Sequence, residues 1–227
     1  MSNEAVPPSA IDIVEHTDHS TRSKSLEDTY WYYLLTEGER PKSVFAFTEY
    51  AKVSEQTFYT IAANFDHLES IYWERLVTET IQVLQADEDY LSYSTEDKFS
   101  AFFFTFFVHI QNHRSRLVKF FPYFPQGCST LKGMKSKFTE FAKELINQGI
   151  ADGSIADRKK VSDLYPNIIF EQLRGIIEFH RKDNSPEFQD TDALIEKTIR
   201  LGADAAQNGA LDSAIDLGRF LLRRITT

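Results

Sequence analysis

Three polar side chains, Gln56, Tyr59 and Thr60, recur at the spacing that places residues on one face of a helix. A glutamine amide can form two hydrogen bonds with adenine, and tyrosine and threonine hydroxyls commonly contact phosphates. Apolar residues follow the same spacing on another face, where they should build a small core: Phe58, Ile61, Ala62 and Phe65. This two-face pattern predicts either a helix that contacts DNA or a plain three-helix packing unit.

The charge around this helix is unusual for a DNA-contacting surface. The segment 43–73 holds one basic residue, Lys52, and four carboxylates, so its formal charge is −3. Phosphate neutralisation supplies much of the affinity of ordinary DNA-binding proteins. A DNA-binding helix here would depend on Gln56, Tyr59, hydroxyl groups and helix N-termini, and its affinity should fall only slowly with salt.

A second cluster is aromatic, with six phenylalanines between Phe99 and Phe107. A helix without a polar face is usually buried at the centre of a domain. The cluster therefore forms either a dry core or the wall of a cavity for a lipid, fatty acid or isoprenoid. Polar contacts in such a cavity could come from residues at helical spacing on the same segment. The candidate pocket residues are Phe102, Phe103, Thr105, Phe106, His109 and Asn112.

Metal-binding and catalytic patterns are weak. His109 and His113 have the i, i+4 spacing that can bind a metal ion, but no HExxH motif surrounds them. No glycine-rich phosphate loop and no pairing of a nucleophile with a base stands out. We therefore expect no metal, no cofactor and no enzymatic activity.

Composition limits the class of protein. The 227 residues carry a net charge of −9, which argues against non-specific binding of nucleic acid by the whole surface. The single cysteine, Cys128, excludes an internal disulfide and fits a reducing compartment. The N-terminus lacks a signal-peptide pattern, and the apolar run 101–110 is too short to cross a bilayer. We expect a cytoplasmic protein without membrane insertion.

Helical periodicity dominates the chain, which predicts an all-α fold. Residues 1–25 are polar and are expected to form a disordered arm, 26–70 a helix-turn-helix unit, and 71–227 a larger helical bundle. Pro166 demands a kink or a later helix start. The predicted helices are Leu26–Thr36, Ser43–Ala51, Glu55–Asn64, Asp66–Gln85, Thr95–Phe121, Leu131–Gln148, Lys159–Lys182, Asp190–Asn208 and Ala210–Arg224.

Several motifs resemble one family of bacterial regulators. Val53-Ser54-x-x-Thr57-Phe58-Tyr59 is similar to the recognition-helix motif of the TetR (tetracycline-repressor-like) family. The following segment 64–73 and the C-terminal segment 209–217 resemble a divergent branch of that family. The likeness covers about residues 26–225 and implies a TetR-like fold, a homodimer built by two C-terminal helices, and a helical bundle that often encloses a ligand.

The chain departs from the family pattern at three places on the expected DNA face. Lys52 replaces a turn glycine, which places a non-glycine residue at positive φ at a cost of roughly 1 kcal/mol. Thr60 replaces a frequent cation, and Ile61-Ala62 replaces an aromatic pair. The expected DNA contacts are Ser43, Lys52, Ser54, Gln56, Thr57, Tyr59 and Thr60.

The leading hypothesis is a homodimeric repressor that binds a palindromic double-stranded DNA operator and is controlled by a small apolar effector. The alternative is a TetR-fold protein that no longer binds DNA and carries a lipid or isoprenoid. An accessory lipid-binding protein of ubiquinone biosynthesis is a precedent for this alternative within the same resemblance.

Overall fold

The computed structural model describes residues 19–122, 129–157 and 162–208, and every regular element in these ranges is helical. The prediction of an all-α fold is confirmed. Three short 3₁₀ turns occupy Glu88–Ser92, Ser162–Leu164 and Pro186–Phe188. No helix in the described ranges has the length and apolar character needed to cross a membrane. The α-helices are α1 (His19–Glu37), α2 (Val44–Ala51), α3 (Glu55–Ile61), α4 (Phe65–Gln85), α5 (Thr95–Gln111), α6 (Arg114–Phe120), α7 (Lys132–Ala151), α8 (Tyr165–His180) and α9 (Gln189–Asn208).

The chain divides into two compact units, an N-terminal unit that ends at Glu69 and a C-terminal unit that begins at Ser70. In the N-terminal unit, α1 supplies Tyr30, whose ring stacks on Phe65 at 5.2 Å between centroids. Phe47 of α2 meets Phe58 of α3 edge to face at 6.1 Å. Phe58 is fully buried and Ile61 and Ala62 are nearly so, so the predicted core stripe of the third helix faces the core.

A buried carboxylate near the start of α4 forms hydrogen bonds with α1 and with the loop before α2. Glu69 accepts a hydrogen bond from the Tyr30 hydroxyl at 2.7 Å and two from the Arg40 guanidinium at 2.9 and 2.8 Å. Arg40 also contacts Asp66 at 2.7 Å. Because a buried charge is tolerated only when it is paired, this arrangement fixes the loop before α2 against the start of α4.

Two helix boundaries in this unit differ clearly from the prediction. α1 begins at His19, so residues 19–25, which we assigned to a disordered arm, are helical. No proline or glycine lies between Pro8 and Gly38 to stop the helix. α3 ends at Ile61 because Ala63 and Asn64 cap α4: His67 Nδ1 accepts from the Ala63 N–H, and Asn64 Oδ1 accepts from the His67 N–H.

The C-terminal unit is a helical bundle around α5. Phe102 of α5 packs at 5.2 Å from Phe138 and at 5.0 Å from Phe141, both on α7. Phe138 in turn meets Phe170 of α8 at 5.9 Å. α9 packs against both α5 and α8. The aromatic cluster therefore forms much of the central core of this unit.

The predicted single helix Thr95–Phe121 is wrong, since α5 ends at Gln111 and α6 starts at Arg114. His113 has φ −126° and ψ 26°, which is not helical. The break lets Arg114 donate to the backbone oxygens of His180 and Asp183 at 2.9 and 3.0 Å. Contacts between residues far apart in the sequence thus override the helical preference of the local sequence.

α8 begins at Tyr165 rather than at residue 159, because Pro166 occupies the first turn, where the missing N–H has no cost. Of the two alternatives that Pro166 left open, a kink or a later start, the structure has the later start, and the predicted start at Lys159 is wrong. The predicted C-terminal helix Ala210–Arg224 lies outside the described residues.

Candidate nucleic-acid interface and ligand cavity

α2 and α3 form a helix-turn-helix joined by a tight turn at Lys52. Lys52 has φ 55° and ψ 41°, the left-handed conformation that the missing glycine predicted. The N–H of Val53 then donates to the carbonyl of Thr48 at 3.0 Å and closes the turn. The prediction of positive φ at Lys52 is confirmed.

Serine hydroxyls fix the start of both helices. Ser43 Oγ accepts from the Ala46 N–H at 3.1 Å, and Ser54 Oγ accepts from the Thr57 N–H at 3.0 Å. The Ser54 and Thr57 hydroxyls also lie 2.9 Å apart. These caps satisfy N–H groups that the helix leaves without partners and set the direction of α3.

The outward face of α3 carries the predicted DNA-contacting side chains. Gln56, Tyr59 and Thr60 are exposed, and the exposed fraction of Tyr59 is 54%. The Thr60 hydroxyl donates to the carbonyl of Thr57 at 2.7 Å, so it offers mainly its lone pairs to a ligand. The amide of Gln56 is at the solvent surface, where it can reach a base edge.

Two aromatic residues on α2 escaped the sequence-based reasoning. Phe45 is 60% exposed and Tyr50 is 43% exposed. Since Phe47 lies inside the core, helical geometry turns Phe45 roughly to the opposite side of α2. The two-residue offset between Phe45 and the core residue Phe47 is the sequence signal that could have identified Phe45 as exposed.

The electrostatics of the N-terminal unit leave few cations for a phosphate. Lys24, Lys42 and Lys52 are exposed. Arg40 is committed to Asp66 and Glu69 within the unit. Among the described side chains, an anionic partner could therefore contact lysines, hydroxyl groups and amide groups.

The structure places the six predicted pocket residues in different surroundings. Phe102 and Phe106 are buried in the core, where their rings stack at 5.8 Å. His109 Nδ1 lies 3.1 Å from the Thr80 hydroxyl, which itself donates to the carbonyl of Leu76 at 2.7 Å. Helical spacing alone could not tell a position that faces a neighbouring helix from one that faces a void.

The other three predicted pocket residues have different surroundings. Thr105 is half-buried on α5. Asn112 is exposed at the C-terminus of that helix, beyond its last turn. Phe103 is the one of the six that lines the cavity between α5 and α9.

This α5–α9 cavity has a volume of about 290 Å³ and lies between the start of α5, the end of α7, and the facing parts of α8 and α9. Its lining is mostly apolar. The lining residues are Ser94, Thr95, Glu96, Phe99, Phe103, Ile146, Ser154, Ile155, Tyr165, Ile168, Ile169, Gln172, Thr198, Ile199, Gly202, Ala203 and Ala205.

Close packing at Gly149 shapes one side of the cavity. A Cβ atom at this position would lie 2.8 Å from Ile155 Cδ1, closer than real contacts allow, and 3.0 Å from Thr95 Oγ1, which is tighter than most real contacts. The N–H of Ile155 donates to the carbonyl of Gly149 at 2.8 Å. Glycine therefore lets the chain after α7 fold back, so that Ile155 reaches the cavity wall.

A buried polar cluster joins the end of α8 to the start of α9. His180 is fully buried between two aromatic rings, and its Nδ1 lies 3.2 Å from Thr191 Oγ1. Because the Thr191 hydroxyl donates to Asp183 at 2.6 Å, His180 must donate its Nδ1–H to Thr191. Burial and the nearby Arg114 charge lower the pKa of His180 to about 4, so the ring is neutral at pH 7.

Metal binding finds no support in the described part of the chain. His109 lies on α5, whereas His113 follows the helix break and faces Tyr72 at 6.2 Å between rings. Within the described ranges, no group of three or more His, Cys, Asp or Glu residues could hold a metal ion.

The outer faces of α8 and α9 expose apolar residues. Ile168 and Phe179 of α8 are 38% and 42% exposed, and Leu201 of α9 is 69% exposed. The exposed glycines Gly175 and Gly202 lie on the same two helices. Small and apolar residues together on neighbouring helices suit close contact with another helical surface.

Residues 98–221, more than half of the chain, match the family model described as tetracyclin repressor-like, C-terminal domain. Among solved structures, the chain is similar to the fatty acid degradation regulator FadR from Bacillus halodurans, with 15% sequence identity and a TM-score of 0.57. The similarity covers 79% of this chain and 97% of FadR. No curated protein matches the chain. At this identity the likeness to FadR shows a shared fold.

Proposed function

Since the chain belongs to the tetracycline-repressor-like family of transcriptional regulators, we propose that it is a repressor that binds a DNA operator as a homodimer and releases it when a small apolar effector binds. The observation that carries this proposal is the capped helix-turn-helix, whose recognition helix α3 exposes Gln56, Tyr59 and Thr60. In this proposal the N-terminal unit is the DNA-binding domain, and the C-terminal unit binds the effector and dimerises. Such a regulator is non-enzymatic and acts in the cytoplasm.

The DNA contacts follow from the chemistry of the exposed groups. Gln56 pairs with an adenine in the major groove, and the Tyr59 hydroxyl donates to a phosphate. The Thr60 hydroxyl, whose proton goes to Thr57, accepts a hydrogen bond from a donor group of the DNA. Lys52 supplies a cation at the turn, and Ser43, Ser54 and Thr57 orient the N-termini of α2 and α3 toward the backbone. With so few cations, the affinity should decline only gradually as salt concentration rises.

Dimerisation uses the exposed apolar faces of α8 and α9. Phe179 and Leu201 would be covered by the same helices of a second copy in a two-fold, four-helix contact. A two-fold dimer places its two recognition helices roughly 34–36 Å apart, so the operator should be a palindrome with half-sites one DNA turn apart.

The effector occupies the α5–α9 cavity. The cavity is lined by residues of α8 and α9, the helices that we propose to form the dimer contact. An effector there can change DNA affinity only if it binds one arrangement of the dimer more tightly than the other. A largely apolar lining favours a largely apolar effector.

Selection of random duplexes by the purified protein at low salt tests the proposal. We expect an enriched palindrome, and about tenfold weaker binding to it after Gln56→Ala, since one bidentate base contact contributes about 1–3 kcal/mol. Tyr59→Ala should weaken binding to all duplexes. Tyr32→Ala, which removes a tyrosine that is 64% exposed on α1, is the matched control and should leave affinity unchanged. An absence of any enriched palindrome would contradict the proposal.

A second candidate function is favoured by the internal pairing of Arg40 with Asp66 and Glu69, which withholds a cation from the DNA-binding surface. In this alternative the chain keeps the fold, no longer binds DNA, and carries a lipid or isoprenoid. Failure of the duplex selection, together with a lipid extracted from the purified protein, would favour it over the repressor.

A further inference from the structure

The apolar wall of the α5–α9 cavity is formed by aromatic and branched aliphatic side chains. Phe99 and Phe103 contribute from α5, and Ile169 and Ile199 from α8 and α9. Phe103 is 1% exposed and Ile199 is 8% exposed, so these side chains face the interior. Such a wall favours a hydrocarbon segment over water.

Several neutral polar groups line this wall, and Gln172 of α8 and Thr198 of α9 are two of them. The amide of Gln172 is half-buried, and it forms no hydrogen bond with the other described residues. The Thr198 hydroxyl shares its proton between the carbonyls of Leu194 and Ile195, at 2.8 and 3.1 Å, and keeps lone pairs that can accept a hydrogen bond. A ligand hydroxyl could donate to the Thr198 oxygen and accept from the Gln172 amide, whereas a ligand carbonyl could accept from the Gln172 amide.

Charge on the wall is negative. Glu96 is the one charged side chain among the described residues that line the cavity. Lys98, the cation nearest to it along the chain, donates to Gln148 Oε1 at 3.2 Å. An ionised carboxylate placed in the cavity would face the like charge of Glu96 and lose its hydration against an apolar wall, both of which are unfavourable.

The volume limits ligand size. A water molecule takes about 30 Å³ of liquid, so 290 Å³ corresponds to about ten atoms of that size. A ligand with about ten to twelve non-hydrogen atoms fits this space.

We infer that the α5–α9 cavity binds an uncharged, largely apolar ligand of about ten to twelve non-hydrogen atoms that carries one hydroxyl or carbonyl group, and that it rejects the ionised carboxylate of the same length. The inference rests on the proposed effector-controlled function and specifies the chemistry of the effector.

Binding to the full chain, measured without DNA, tests the inference. Native mass spectrometry and thermal shift compare 1-decanol, decanoate and decyltrimethylammonium at pH 7.5. Decanol is kept below its solubility limit and the two ionic compounds below their critical micelle concentrations. We expect decanol to bind at least tenfold more tightly than decanoate. Equal affinity for decanol and decanoate, or no binding of decanol, would overturn the inference.

Two substitutions test the cause of the selectivity against carboxylates and the place where decanol binds. Glu96→Lys, at an exposed position, should raise affinity for decanoate at least tenfold and change decanol affinity less than twofold. Ala203→Phe should fill the cavity and abolish decanol binding, whereas Ala151→Phe, an exposed control outside the lining, should not.

The outcomes separate this inference from the proposed function. Unchanged decanoate affinity after Glu96→Lys, or full decanol binding by a folded Ala203→Phe variant, would overturn the inference even if a palindrome is selected. If decanol binds but the duplex selection enriches no palindrome, the proposed repressor function is wrong and the inferred ligand chemistry is still supported.

Discussion

Individual side chains decide how much positive charge the recognition surface can offer. Lys52 stays exposed at the turn, whereas Arg40 is held by two carboxylates inside the N-terminal unit. Tyr30 shares the same carboxylate, and burial together with Glu69 raises the pKa of its hydroxyl, so it remains protonated. The acidic composition of the segment is therefore partly neutralised within the unit, and Lys52 combines a strained backbone with an available charge.

Lys52→Gly should stabilise the protein while it removes a cation. The left-handed conformation costs a non-glycine residue about 1–2 kcal/mol, more than the roughly 0.5–1 kcal/mol of extra chain entropy that glycine loses on folding. We expect the free energy of unfolding to rise by about 0.5–1 kcal/mol in urea titrations followed by tryptophan fluorescence.

Lys52→Ala is the matched control because it removes the same charge and keeps the Cβ atom. It should give no stabilisation, whereas both variants should weaken operator binding at low salt to the same extent. Equal unfolding free energies for the glycine and alanine variants would show that the turn at Lys52 is not strained.

At the scale of elements, arginines hold the ends of α6 and α8 together reciprocally. Arg114, at the start of α6, donates to two carbonyls at the end of α8. Arg181, just after α8, donates to the carbonyls of Val118 and Phe121 at 3.0 and 3.3 Å. Helix C-termini carry unsatisfied carbonyls and partial negative charge, so a guanidinium stabilises each of them. This pairing explains why the chain breaks between α5 and α6.

The α8–α9 junction should make stability depend on pH between about 6.5 and 4. His180 has a folded-state pKa lowered to about 4 from 6.5, so over this range the unfolded chain binds a proton that the folded chain does not. Stability therefore falls as pH falls, by about 2 kcal/mol between pH 7 and pH 5 from this residue. Burial raises the pKa of Asp183, but hydrogen bonds from Ser185 and Thr191 outweigh it and hold that pKa well below its usual range.

His180→Asn keeps a neutral donor toward Thr191 and removes the titratable ring. We expect lower stability at pH 8, from the smaller side chain, and a flatter loss between pH 7 and pH 5 than in the wild type. His113→Asn, at an exposed histidine, is the control and should keep the wild-type slope. A wild-type slope in His180→Asn would contradict the assignment.

At the scale of the whole molecule, α8 and α9 have two roles in the proposed mechanism, because they line the effector cavity and carry the exposed apolar surface. An effector that moves one of these helices changes the surface that meets the second copy. Interfaces and packed cores respond to such shifts by switching between discrete arrangements. This shared use gives the effector a direct route to the spacing of the recognition helices.

If the proposed dimer forms through α8 and α9, Leu201→Asp should dissociate it and abolish high-affinity operator binding, because a carboxylate at the centre of an apolar contact loses its hydration. Sedimentation equilibrium should give the mass of a monomer, with helical content unchanged by circular dichroism. Leu91→Asp, at a leucine that is 87% exposed in a 3₁₀ turn, is the matched control and should remain dimeric. A dimeric Leu201→Asp variant would place the contact elsewhere.

The sequence by itself determined the features that depend on neighbouring residues. Helical periodicity predicts the all-α fold, and Ser43 and Ser54 predict the starts of α2 and α3. Pro166 predicts a kink or a late start of α8, and the structure has the late start. Each of these signals acts within about one helical turn, so the local sequence carries it completely.

Only the tertiary structure decided which residues meet across the chain. It broke the predicted fifth helix at Asn112 and His113, and it paired Arg40 with Asp66 and Glu69. It also left Phe103 as the one predicted pocket residue in the cavity and brought distant segments of α7, α8 and α9 to the same wall. Helical spacing tells which residues share a face, but the position of a void depends on how the side chains of separate helices fill the space between them.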